Sequence, residues 1–115
     1  TANAVSEMAA LAAGNHVAPA VLAYVSQLAE ATRAHPDVKL GLSTRGCMSY
    51  VRAAKTWAAS VGRNYVIPDD IKELAQPVLS HRIILDPEAE FTGTTVTDVV
   101  TRVLSEVHPP ADQAA

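Results

Sequence analysis

The 115-residue sequence holds a single cysteine, Cys47. A lone thiol excludes an intrachain disulfide framework and any CxxC metal site. Aromatic residues make up only 4% of the chain, which gives little to a β-sandwich core. No apolar run approaches the roughly 18 residues of a membrane-spanning helix. No basic stretch followed by an apolar one marks a signal peptide. Charge of both signs is modest: 9 basic against 12 acidic residues leave a formal −3. That balance speaks against a dedicated nucleic-acid binder, which needs a basic patch to release counterions. Glycine-rich phosphate loops, GxSxG and HExxH are all missing. The four histidines, His16, His35, His81 and His108, fall on different elements, so no metal site is expected. The chain also opens at Thr1 rather than at a methionine, which suggests a piece cut from something longer.

What is present is abundant alanine and a 49% hydrophobic content, enough for one compact domain. Apolar periodicity predicts a helix over about 3–13, stopped by Gly14-Asn15. A second is predicted over 18–33, with Val21, Val25, Leu28 and Thr32 on one stripe, flanked by Leu22 and Ala29. His35-Pro36 ends it. Residues 36–43 read as a loop carrying Gly41. A third helix is expected over 44–61, capped by Ser43 and closed by Gly62, with Cys47, Val51, Ala54, Ala58 and Val61 inward and Trp57 beside them. An extended piece from Asn64 to Asp70 leads to a fourth helix, opened by Pro68 and two acids and limited or bent by Pro77. Ile83-Ile84-Leu85 reads as a buried extended connector without a partner strand, and 86–93 as a loop. Val96, Val99, Val100, Val103, Leu104 and Val107 mark a last helix over about 95–107. The fold class is therefore all-α, a small bundle of four to five short helices over 1–107, with 108–115 a disordered tail.

Only one stretch has the makings of a ligand site. Gly41-Leu42-Ser43-Thr44-Arg45-Gly46 places a glycine loop before a helix whose first turn carries an arginine. Free backbone N–H groups, the positive end of the helix dipole and a forked guanidinium converge there, a combination suited to a phosphate. Arg45 is the candidate anion ligand, and Ser43 and Gly46 supply groups at the same helix start. An ordinary cap followed by a solvated arginine is the plain alternative. Cys47, on an apolar stripe, reads as a small buried hydrophobe. Arg33 suits the negative end of the second helix, or a neighbouring subunit. Arg63 and Arg82 suit scaffold pairs with Asp69, Asp70 or Asp86, or interdomain contacts, and Tyr65 reads as a core or hinge packing residue.

Four ordered strings carry a resemblance. They are Ala31-Thr32-Arg33-Ala34-His35-Pro36, Leu40-Gly41-Leu42-Ser43-Thr44-Arg45-Gly46, Gly62-Arg63-Asn64-Tyr65-Val66-Ile67-Pro68-Asp69-Asp70-Ile71 and Pro77-Val78-Leu79-Ser80-His81-Arg82-Ile83. Together, closely over about 17–85, they resemble the C-terminal lid domain of MoxR-family AAA+ ATPases, with its ATRxHP, GASPRG, GRxYVxPDDV and PVLxHR motifs. Three departures stand out. Thr44 replaces a proline, Leu42 a small alanine, and Ile67 a capping Thr or Ser, so the fourth helix must start on Pro68, Asp69 and Asp70.

The resemblance implies an AAA+ lid that follows a nucleotide-binding α/β domain. It gives Arg45 the sensor 2 role of reaching ATP phosphate (with magnesium in the full-length protein). It further implies chaperone-like remodelling of client proteins, a homo-hexamer, a von Willebrand factor A-domain partner and a cytoplasmic location. With no Walker motif in the sequence, the 115 residues alone are expected to lack ATPase activity. The competing expectations are a helical DNA-binding or histone-fold-like module and a plain protein-interaction bundle.

Overall fold

A computed structural model of the chain describes residues 16–110. The helix expected over 3–13 and the last part of the tail, 111–115, lie outside the described residues. The elements in order are β1 (His16–Val17), α1 (Pro19–Ala34), β2 (Val38–Leu40), α2 (Thr44–Ser60), β3 (Tyr65–Val66), α3 (Pro68–Leu79), β4 (Ile84–Leu85), α4 (Pro87–Phe91) and α5 (Val96–Glu106). The described residues thus form a mostly helical unit with two small β-ribbons.

The four long helices arise where apolar spacing predicts them. The α1 stripe is buried in full: Val21, Leu22, Val25, Leu28, Ala29 and Thr32 all face inward. Residue Ala18 has no side-chain cap, and Pro19 opens the helix in the first-turn position that proline tolerates. His35 turns to extended geometry (φ −67°, ψ 131°) before Pro36 and ends it. Helix α2 packs on α1 and α3, and α5 closes against α1 and α3. Ala29, Ala54, Ala58 and Ala75 are fully buried. Their small side chains let the helix axes approach, which is how an alanine-rich chain builds a core with few aromatics. Tyr50 and Ile71 add bulk, and the Tyr50 hydroxyl donates to the Ile71 carbonyl, joining α2 to α3.

Several expectations are corrected. The 36–43 loop contains β2, which pairs antiparallel with β4, so the 83–85 run has a partner after all. Nor is that run wholly buried: Ile83 and Leu85 face the core while Ile84 is 53% exposed. Period-2 alternation over three residues is too short to separate a half-exposed strand from a connector. A five-residue helix, α4, occupies the 86–93 loop, started by Asp86, whose carboxylate accepts from the Glu88 amide (3.1 Å). Val61 also leaves the inward face, because the helix has already ended at Ser60, and Trp57, beside that face, is partly exposed. Strand β1 pairs in parallel with β3, matching Val17 to Val66.

The start of α3 rests on its acids, as the uncapped Ile67 requires. The Asp70 carboxylate accepts from the Ile67 amide (2.9 Å), closing the first turn. The same carboxylate takes a bidentate pair from Arg63, both N–H···O distances 2.6 Å. Asp70 is 2% exposed, and an unpaired charge there would be costly. Burial alone would raise its pKa. The hydrogen bonds from Arg63 and Ile67 and the guanidinium charge outweigh burial and hold the carboxyl below its ordinary value. Tyr65, 38% exposed, is not a core residue; the Arg63 guanidinium lies over its ring at 5.8 Å.

Replacing Asp70 with alanine should therefore lower the unfolding free energy by about 2 kcal/mol at pH 7, through loss of charged hydrogen bonds and a cap. Because the folded pKa is depressed, this contribution is complete above the ordinary value of 3.8 and fades as pH falls through the folded value. Urea midpoints of wild type and Asp70→Ala should accordingly draw together between pH 7 and pH 3. A gap that stays constant would show that the carboxylate charge is not the source.

Candidate functional site

The loop from Gly41 to Ser43 is held by the last turn of α1. Thr32 is fully buried, and its hydroxyl works in both directions, donating to the Ala29 carbonyl (2.6 Å) and accepting from the Leu42 amide (3.0 Å). One residue on, the Arg33 guanidinium donates to the Leu42 carbonyl. Both backbone polar groups of Leu42 are thus satisfied by side chains of adjacent α1 residues. The Leu42 side chain is fully buried in the core. Left unmade, such buried backbone bonds would cost more than the bonds now contribute, because each group would be desolvated without a partner.

The close approach also explains Gly41. A Cβ there would stand 2.7 Å from the Arg33 backbone nitrogen and 2.8 Å from its Cα. Only glycine lets the loop lie flat on the helix end. At Gly46 a Cβ would overlap the Leu42 side chain. The larger residue at 42 is therefore accommodated because 46 has no side chain.

With the loop so fixed, α2 begins at a defined point. Ser43 is extended (φ −79°, ψ 169°), and its hydroxyl accepts from the Gly46 amide (3.0 Å). The cap forms without a proline at 44. Both groups offered by Ser43 and Gly46 are thereby committed to the cap, and the Cys47 amide reaches the Ser43 carbonyl (2.9 Å). Among the described residues, the Thr44 and Arg45 amides have no acceptor and remain open at the positive end of a 17-residue helix.

Arg45 is the second residue of α2 and is exposed. Its side chain has no hydrogen bond or ion pair among the described residues. Arg33 and Arg63, by contrast, are consumed by the Leu42 carbonyl and by Asp70. Arg82, expected in a scaffold pair, also has no ion pair among the described residues. Leu40 and Ile84, paired across the β2–β4 ribbon, are 58% and 53% exposed and border the same loop. Cys47 is buried, and burial pushes its thiol above its ordinary pKa despite the nearby Arg33 charge, so it is a core residue rather than a nucleophile. The described residues contain no group of three His, Cys, Asp or Glu set to hold a metal. None of their helices is long and apolar enough to cross a membrane.

The part played by Thr32 and Arg33 does not show in the sequence alone: Thr32 lies on an apolar stripe and Arg33 at the negative end of a helix dipole, and neither position says that both reach Leu42. The available signal was that ATR and GLSTRG occur together, ten residues apart at Thr32 and Leu42.

Comparison with known proteins gives a consistent picture. Residues 30–103 match the family model described as the AAA lid domain. The uncharacterized protein YeaC of Bacillus subtilis is 41% identical over 92 residues, 80% of this chain and 29% of that protein. Protein MoxR of Paracoccus denitrificans is 36% identical over 95 residues, covering 71% of this chain and 28% of the relative. Chaperone MoxR1 of Mycobacterium tuberculosis is 36% identical over 109 residues, 87% and 29% respectively. The crystal structure of a candidate ATPase from Cytophaga hutchinsonii superposes with a TM-score of 0.78 at 29% identity, over 94% of this chain and 33% of that one. The chain spans less than a third of the length of each of these proteins.

The geometry separates loop-holding residues from the exposed arginine. Thr32→Val should destabilise the fold by about 1–2 kcal/mol by orphaning the Leu42 amide, and Gly41→Ala by about 1–3 kcal/mol through overlap with Arg33. Arg45→Ala should stay within about 0.5 kcal/mol of wild type. Urea denaturation of the three variants checks the order, and a large loss for Arg45→Ala would contradict it.

Proposed function

Since the chain belongs to the AAA lid-domain family, as the lid of a MoxR-type AAA+ ATPase, we propose that Arg45 is its sensor 2 residue, the cation that the lid offers to ATP phosphate in a site shared with the nucleotide-binding domain. The observation that carries this reading is an exposed guanidinium, without an ion pair among the described residues, on a helix start whose first two amides are open. Guanidinium, open amides and dipole all favour an anion at one place. The residues present therefore fit a phosphate. Magnesium is assigned to the nucleotide in the full-length protein on the family resemblance.

When bound, ATP supplies the phosphoryl group whose transfer to water drives the protein. The chain's own contribution is to fix the backbone of the helix turn that bears Arg45 and to present that turn at an angle set by the lid. Transfer spreads negative charge over the phosphoryl oxygens, and a cation carried there on a fixed helix start would stabilise the transition state more than the ground state. Thr32 and Arg33 act as positioning residues: they fix Leu42, Leu42 fixes Ser43, and Ser43 fixes the first turn that bears Arg45. Any change in lid angle moves the guanidinium and the loop together, which couples nucleotide state to lid position. The exposed Leu40 and Ile84 flank this loop, and we assign them to the surface that the nucleotide-binding domain covers.

For the whole protein we propose ATP-driven, chaperone-like remodelling of client proteins in the cytoplasm. The supports are the name of the Mycobacterium tuberculosis relative, Chaperone MoxR1, and the family resemblance. A homo-hexameric ring and a von Willebrand factor A-domain partner rest on that resemblance alone. Residues 1–107 are taken as the lid unit and 108–115 as its tail.

In the whole protein, Arg45→Ala should lower ATP turnover by about 100-fold, the scale of one lost transition-state donor. Arg45→Lys should recover only part, since an ammonium cannot match the fork. Lid stability should be unchanged in both. Turnover equal to wild type in Arg45→Ala would reject the sensor role and leave a structural lid.

A further inference from the structure

Away from the Arg45 loop, two exposed features of opposite character stand out. The first is a groove of about 540 Å³ between α2 and α3. Trp57 and Leu74 give it an apolar wall, and Arg52 and Arg82 stand at its sides. Trp57, the only tryptophan in the chain, is 36% exposed and lines this groove. Neither arginine has an ion pair among the described residues. The second feature is Phe91, the last residue of α4, which is 93% exposed. Glu88 lies one helical turn before it and Glu90 adjoins it. Both acids are exposed and also lack an ion pair among the described residues.

We propose that these two features are the halves of one contact between copies: Phe91 of one chain seats against Trp57 and Leu74 of a second, and Glu88 and Glu90 face Arg52 and Arg82. The match is one of shape and of charge. An aromatic projection flanked by acids meets an aromatic-lined groove flanked by guanidinium groups, and an aromatic pair gains from offset or edge-on packing beyond its buried area. The two patches differ, so the contact is either reciprocated within a pair or passed head to tail around an assembly. A single phenylalanine covers about 150–250 Å², far less than the roughly 800 Å² per partner of a stable pair. The contact therefore operates between copies already held together, where local concentration is high. In that respect it rests on the reading that copies of the whole protein assemble.

The test is disulfide trapping in the whole protein. Ser60 lines the groove and Thr92 follows Phe91; both are exposed. One preparation carries Ser60→Cys and the other Thr92→Cys, each with surface cysteines outside this chain replaced by serine; Cys47 is buried. Mixed and oxidised, they should give the cross-linked heterodimer at about tenfold the yield of either preparation alone, and mixing excludes a bond within one chain. Adding Phe91→Ala to the Thr92→Cys copy should cut that yield at least about fivefold. Arg52→Glu in the groove copy should do the same, and Glu88→Arg in the opposing copy should restore it. Sedimentation of the same samples reports assembly separately. Assembled protein without the heterodimer overturns this contact and leaves the assembly reading intact; monomeric protein without it overturns both. A heterodimer insensitive to Phe91→Ala and to the charge exchange also overturns the proposal.

Discussion

The loop that leads into α2, and with it the start of that helix, depends on how Leu42 is held. Its amide and its carbonyl are each taken by a side chain, Thr32 and Arg33, from consecutive residues of α1. Its own side chain is buried beneath. Three independent restraints on one residue remove the freedom that a loop between helices would otherwise keep. The start of α2 inherits that rigidity through Ser43. A helix N-terminus is useful for holding an anion only if it stays in place, because electrostatic stabilisation relies on dipoles that need not reorganise.

The arginines show how one residue type is divided by its surroundings. Arg63 meets a carboxylate that is nearly inaccessible to water, and the pair braces the turn into α3. Arg33 is spent on a carbonyl. Arg45, only two residues beyond the Ser43 cap, meets nothing among the described residues. A bidentate pair with a buried acid and a bond to a buried carbonyl are both structural by energy: each prevents an unsatisfied group. An exposed guanidinium prevents nothing within the domain, so any free energy it contributes lies in contact with something else.

Much of the fold could be read along the chain. The apolar stripes of α1, α2, α3 and α5 repeat at helical spacing, and the signals at Ser43, His35-Pro36 and Pro68-Asp69-Asp70 are local chemistry that acts within one turn. The β2–β4 ribbon could not be read this way. Its strands are three and two residues long, too short for a periodic signature, and the pairing joins positions more than forty residues apart. The site divides in the same way. Arg45 on a capped helix start was legible because cap, glycine and arginine are neighbours in sequence. The clamp on Leu42 was not, since a buried threonine on an apolar stripe looks like any small core residue until its hydroxyl is seen to have two partners.

The sequence by itself therefore determined where the four long helices lie, most of the faces they bury and that Arg45 stands in the first turn after the Ser43 cap. These follow from spacing and capping, and both act over a few residues. Tertiary structure alone decided which arginines are consumed and which are left facing outward. It also decided that Gly41 and Gly46 are required by what packs on them, and that Trp57 lines a groove beside Leu74. Those outcomes depend on distances between elements remote in sequence. There a difference of one ångström separates a bond from a clash, and no local pattern carries that information.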